Sequence, residues 1–162
     1  MRTPILGAAL TIAALTFGSA FAQPIIVESG AEGQNHPGYS EIRGRWVDSL
    51  SKSTVPQLTP GIMTRYADIY EGIPSVARFT PILPQSGNYE IQVVWPASAN
   101  ANKVKYVIHH ARGEDVKYLD QDGWGAHGSS NANRWQTLGV YEFKEGSNGW
   151  VDVSDEDIAG TP

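Results

Sequence analysis

The stretch Phe79 to Ala111, FTPILPQSGNYEIQVVWPASANANKVKYVIHHA, decides the fold, because two alternating runs flank a polar loop. Tyr89, Ile91, Val93 and Trp95 recur at period two with Glu90 and Gln92 between them. Val104, Tyr106 and Ile108 form a second apolar row, set against Lys103, Lys105 and His109. Successive side chains on a strand point to opposite faces, so each run has one face for a core and one for solvent. Together they predict a β-hairpin in an antiparallel sheet. Pro81 and Pro84 mark its entry, since neither could sit inside a central strand, and Ser86-Gly87-Asn88 is a turn.

Outward from this stretch, short strands and breakers alternate. Upstream, Pro24–Val27 (PIIV) is a first strand, ESGAEGQNHPGYSE a loop, and Arg43–Val47 (RGRWV) a strand bearing Trp46. DSLSKSTVPQLTPG has no period and is a long connection; Thr64–Ile69 and Ser75–Thr80 are further short strands. Downstream, Arg112-Gly113-Glu114-Asp115 turns into Val116–Leu119 (VKYL), and residues 120–133 (DQDGWGAHGSSNAN) are irregular. Arg134–Phe143 (RWQTLGVYEF) resumes β character, and its spacing from Trp135 to Leu138 beside Gly139 predicts a bulge. Gly146 to Gly149 turn into Trp150–Val153, where Val151 and Val153 face one way and Trp150 and Asp152 the other. About nine short strands and no long helical period predict an all-β chain: two packed antiparallel sheets.

The amino end reads differently. Arg2, an apolar run from Ile5 to Phe17 and Ala20-Phe21-Ala22 before Gln23 have the form of a secretory signal peptide over residues 1–22, too short to span a bilayer. Cleavage near Ala22 leaves 140 of the 162 residues, the size of one domain (23–162), secreted or periplasmic. Removing Arg2 from the 12 basic residues leaves 11 against 17 acidic ones, a formal charge of −6. Scattered Lys and Arg argue against nucleic acid or anionic lipid as partner. Cysteine is absent, which excludes disulfides, thiol catalysis and cysteine-bound zinc.

The runs ARFTPILPQSGNYEIQVVWPASANANKVKYVIHHA and RWQTLGVYEFKEGSNGWVDVSD resemble the golvesin C-terminal-like domain, also described as the golvesin and xanthan lyase carbohydrate-binding-like domain. Gly87, Tyr89, Val93, Trp95 and Pro96 match its G-x-Y strand ending in W-P. Tyr106, Ile108 and His110 match Y-x-V-x-H, and Trp135, Leu138, Gly139, Tyr141 and Phe143 match W-x-x-L-G-x-Y-x-F. The resemblance implies a jelly-roll-like, galactose-binding-like β-sandwich, an accessory module of secreted bacterial proteins with polysaccharide or cell-surface binding as its role. It carries no catalytic residues. The family continues past the strand matching WVDVSD into another; here the chain ends at Pro162, so either that last strand is absent or the edge is closed differently.

Sugar rings stack their C–H faces on aromatics and take hydrogen bonds from neighbouring polar groups. Trp124, beside Asp122, His127 and Asn131 in the irregular segment, has that setting, and Trp150 comes second. Two roles stay open for Trp124, a stacking platform or a plug at one end of the sandwich. Trp46, Trp95 and Trp135 read as core. His109 and His110, adjacent on a strand, point to opposite faces and cannot serve one site; His110 continues the core row. Asp120 and Asp122 supply a fragment of a calcium loop whose other ligands are absent, so the expectation is a solvated turn and no metal. No G-x-S-x-G occurs, and no carboxylate pair stands out as a glycosidase pair. The expectation is a non-catalytic module without cofactor that binds polysaccharide or envelope glycan. The alternative is a protein-interaction or structural accessory module of a larger secreted enzyme, with a protein partner at a sheet edge.

Overall fold

The computed structural model describes residues 5–6, 9–14, 23–67, 73–97, 103–122 and 131–156. Its strands are β1 (Ile5–Leu6), β2 (Ala9–Ala14), β3 (Ile25–Val27), β4 (Tyr39–Arg43), β5 (Trp46–Asp48), β6 (Arg65–Ala67) and β7 (Val76–Phe79). They continue with β8 (Gly87–Val94), β9 (Val104–His110), β10 (Gly113–Leu119), β11 (Gln136–Phe143) and β12 (Trp150–Ser154). Ten of them follow residue 22, and every pairing is antiparallel. The chain is an antiparallel β-sandwich. One sheet has five strands in the order β10-β9-β12-β7-β4, the other four in the order β11-β8-β2-β3, and β1, β6 and β5 form a further three-stranded sheet in the order β1-β6-β5. No described helix is long and apolar enough to cross a membrane.

The rows expected to be buried are buried. Tyr89, Ile91 and Val93 of β8, with Leu138, Tyr141 and Phe143 of β11 and Val27 of β3, meet Val104, Tyr106 and Ile108 of β9, Val151 and Val153 of β12 and Phe79 of β7 in one core. The hairpin is not formed. β8 pairs with β2 and β11, β9 with β10 and β12, so the two rows face each other across the core instead of lying side by side. Alternation fixes which face a residue occupies, not which strand lies next to it, and nine residues separate β8 from β9, more than a tight turn uses.

Elsewhere the local signals match. The β11–β8 register slips between Thr137 and Gly139, where Leu138 is the extra residue and Gly139 takes φ +151°. Two strand readings change. The segment read as loop before Arg43 contains β4, an edge strand with mostly exposed residues and therefore no hydrophobic period. Gly113 to Asp115, read as a turn, already belong to β10, and the turn is Ala111-Arg112.

The outer face of the four-stranded sheet is covered. Ile26 and Val94, one residue out of phase with Val27 and Val93, point away from the core and pack with Val55 and Leu58 of the long connection and with Trp135. Buried Glu28 ties that connection down: its carboxylate accepts from Thr59 Oγ1 at 2.6 Å, Thr59 N at 3.1 Å and Gln34 N at 2.7 Å. Trp46 and Trp95 are core, whereas Trp135 is only half-buried, in the second cluster, 3.4 Å from Gln57 Oε1 through Nε1.

Candidate functional site: the outer face of the five-stranded sheet

The five-stranded sheet turns its second face outward with no connection packed over it in a comparable cluster among the described residues. Register decides what meets there. Trp150 lies opposite His109, Asp152 opposite Arg78, and Glu114 opposite His109, so residues from four adjacent strands converge on one face.

Arg78 holds Asp152 through two bonds, Nε to Oδ1 at 2.8 Å and Nη2 to Oδ2 at 2.9 Å. These bonds push the Arg78 pKa up, against a smaller opposing effect of burial, so the guanidinium stays charged. Its carbon lies 4.4 Å from the centroid of the Trp150 ring, while the His109 ring stacks on Trp150 at 4.6 Å and 26°. β7 and β9 flank β12, so the two groups reach the indole from opposite sides. His109 Nε2 sits 3.3 Å from Asp152 Oδ2 and Nδ1 3.3 Å from Glu114 Oε2. Trp150 Nε1 is buried with no partner among the described residues.

On the same face of the edge strand β10, Val116 and Tyr118 continue the outward row of Glu114, about 7 and 13 Å further along the strand at the usual rise, and stay 43% and 45% exposed. Lys103 Nζ lies 5.0 Å from the Tyr118 ring centroid, and Lys105, opposite Tyr118, is 3.0 Å from Glu156 Oε2. The face thus joins an apolar, half-open patch to donors and acceptors held rigid by one another, which is the composition that sugar rings and their hydroxyls require.

The expected site residues separate. Trp150 is where alternation puts it, on the outward face, but its ring is already flanked by Arg78 and His109 and is no open platform. Asp122 and Asn131 lie at the other end of the sandwich, where β10 ends and β11 begins. Five residues of β9 separate that end from His109, about 16 Å at the usual strand rise. Asp122 N donates to Asp120 Oδ1 at 2.9 Å, and the Asn131 carbonyl accepts from Gln136 Nε2 at 3.4 Å. Trp124 and His127 lie outside the described residues.

The solvated turn expected at 120–122 is corrected by Gln121, which is fully buried and donates through Nε2 to the Tyr106 hydroxyl. Burial pushes the Tyr106 pKa up, only partly offset by that bond, so the hydroxyl stays neutral. Among the described residues no three His, Asp or Glu side chains gather as metal ligands do. His110 is half-buried against Tyr141, ring centroids 5.0 Å apart, while His109 faces outward: the pair divides between faces as expected. Arg78, His109 and Tyr118 were missed as site residues. Tyr118 and Val116 were within reach, since both share the parity of Glu114 within VKYL; the partners of Trp150 depend on a pairing of β9 with β12 that local sequence does not carry.

Three comparisons bear on this geometry. The chain is 30% identical over 158 residues to a xanthan lyase of Bacillus sp. (strain GL1), covering 90% of this chain and 16% of that enzyme. Its fold resembles a solved Paenibacillus xanthan lyase, with a TM-score of 0.57 and 21% identity over 94% of this chain and 12% of the other. The chain therefore spans about one-sixth or less of the lyases it matches. The Golvesin C-terminal domain model matches residues 34–161, and the chain belongs to that family.

Proposed function

We propose that the chain is exported, processed near Ala22, and acts outside the cytoplasm as a non-catalytic accessory module that binds a polysaccharide or cell-envelope glycan. The observation that carries this reading is the outer face of the five-stranded sheet. Arg78, His109 and Glu114 are set there around Trp150, and the half-exposed Val116 and Tyr118 continue the same face along β10. Tyr118 and Val116 offer apolar surface to the C–H face of a sugar ring, and the charged groups offer directional hydrogen bonds to hydroxyls or to a uronate carboxylate. The likeness to xanthan lyases supports the ligand class by name, and the small share of those enzymes that is matched fits an appended module. The sequence around Trp124, with Asp122, His127 and Asn131, is the second candidate contact.

Affinity electrophoresis against a panel of neutral and acidic polysaccharides, xanthan included, tests the reading: at least one should retard the protein, and unchanged mobility across the panel would sink it. For the second contact, Trp124→Ala should weaken retention at an unchanged melting temperature. A large loss of stability would instead make Trp124 a core plug.

A further inference from the structure

Residues 9–14, inside the segment with the form of a cleavable leader, are also a central strand. β2 lies between β8 and β3, antiparallel to both, with Ala9 opposite Val94, Ala14 opposite Tyr89, and Leu10 to Ile12 opposite Val27 to Ile25. Among the described residues β3 has no other neighbour in its sheet. Among the described strands its backbone pairs with β2 alone, yet it contributes Val27 to the main core and Ile26 to the second cluster, and it leads into Glu28. Removing residues 1–22 would leave two facing edges about 9.6 Å apart, one strand wide, with their N–H and C=O groups unmatched beside apolar side chains.

We propose that processing of the leader opens this slot between β3 and β8, and that it is then filled by an extended segment of a partner polypeptide. The proposal rests on the export reading above. The slot prescribes the chemistry of its occupant. Positions opposite Tyr89, Ile91 and Val93 belong to the core-facing row and those opposite Glu90, Gln92 and Val94 to the outer row. The occupant is therefore about six residues long, uncharged on its inward row, apolar at alternate positions and antiparallel to both neighbours. ALTIAA, residues 9–14, meets that description and holds the place in the unprocessed chain. A second copy is a poorer donor, because it has lost the same segment and would have to surrender a strand already paired.

The test uses the chain secreted with its leader processed, and a synthetic peptide of residues 8–15 (AALTIAAL) bearing a lysine tail, with an Ile12→Pro peptide as control. Added peptide should slow amide exchange at Ile26–Val27 and along Tyr89–Val94 on the order of tenfold or more, and raise the melting temperature; the proline control should do neither. Processed chain that aggregates alone but is recovered folded by the peptide gives the same support. If these amides in the processed monomer are as protected as in the unprocessed chain and the peptide changes nothing, the proposal falls. A stable homodimer without peptide would overturn the partner by assigning the slot to a second copy. A secreted chain still beginning at Met1 sinks the processing near Ala22, and the opening of the slot with it. Thr11→Pro in that full chain then tells the two failures apart: a lowered melting temperature keeps residues 9–14 as a strand, and an unchanged one removes the strand as well.

Discussion

The two outward faces of the sandwich are treated in opposite ways. On the four-stranded sheet, Ile26 and Val94 are sealed under Val55 and Leu58 by a connection that Glu28 anchors. On the five-stranded sheet, Arg78, His109, Asp152 and Glu114 brace one another around Trp150 and leave Tyr118 and Val116 half open. Apolar outward residues require a cover, because leaving them wet forfeits their burial energy. Charged outward residues require neighbours that satisfy them and leave room for a ligand. The difference separates a face that holds the fold together from one that can be spent on recognition.

The comparison can be broken from the covered side first. Gly30 packs so closely on the Met63 carbonyl and the Ile62 side chain that a methyl group cannot fit. Gly30→Ala should lift the connection and cost about 3 kcal/mol in urea unfolding; a loss below about 0.5 kcal/mol would mean the cover contributes little to stability. Leu58→Ala should cost about 2 to 3 kcal/mol while glycan retention is unchanged, and lost retention would move the ligand to the covered face. On the open face, Arg78→Ala deprives the mostly buried Asp152 of its bidentate partner. It should cost about 2 kcal/mol and weaken retention as well.

The smallest effect concerns pH. Asp155 accepts from Ser75 N at 2.6 Å, and burial, outweighing that bond, raises the pKa of its carboxyl. A carboxyl raised on folding makes the folded state bind the extra proton, so its contribution is fully present below the ordinary carboxylate range and is lost as pH rises through the raised value. Asp155→Asn should therefore flatten the fall in stability with rising pH across the upper carboxylate range. An unchanged slope would assign the pH dependence to other groups.

Much of the sandwich was legible because its signals are local. Alternation picked out Tyr89, Ile91, Val93, Tyr106 and Ile108 as inward, the spacing at Leu138-Gly139 gave the bulge, and Val151 against Asp152 gave the two faces of β12. Pairing was not legible. The same alternation suits a hairpin and two strands facing across a core, and only the long-range register between β9 and β12 decides. For the same reason Trp150 was found while its partners His109 and Arg78 were not, and β4 escaped because an exposed edge strand carries no hydrophobic period. Residues 9–14 show the limit in another form: an uncharged apolar run satisfies both the reading as leader and the pairing as β2.

The open face is tested most directly at Tyr118, whose half-exposed ring lies on an edge strand outside the buried core. Tyr118→Ala should leave unfolding stability within about 0.5 kcal/mol of the parent and abolish retardation by whichever polysaccharide retards the parent protein in affinity electrophoresis. Full retention by Tyr118→Ala, with retention lost in Leu58→Ala, would contradict the assignment of recognition to the five-stranded sheet.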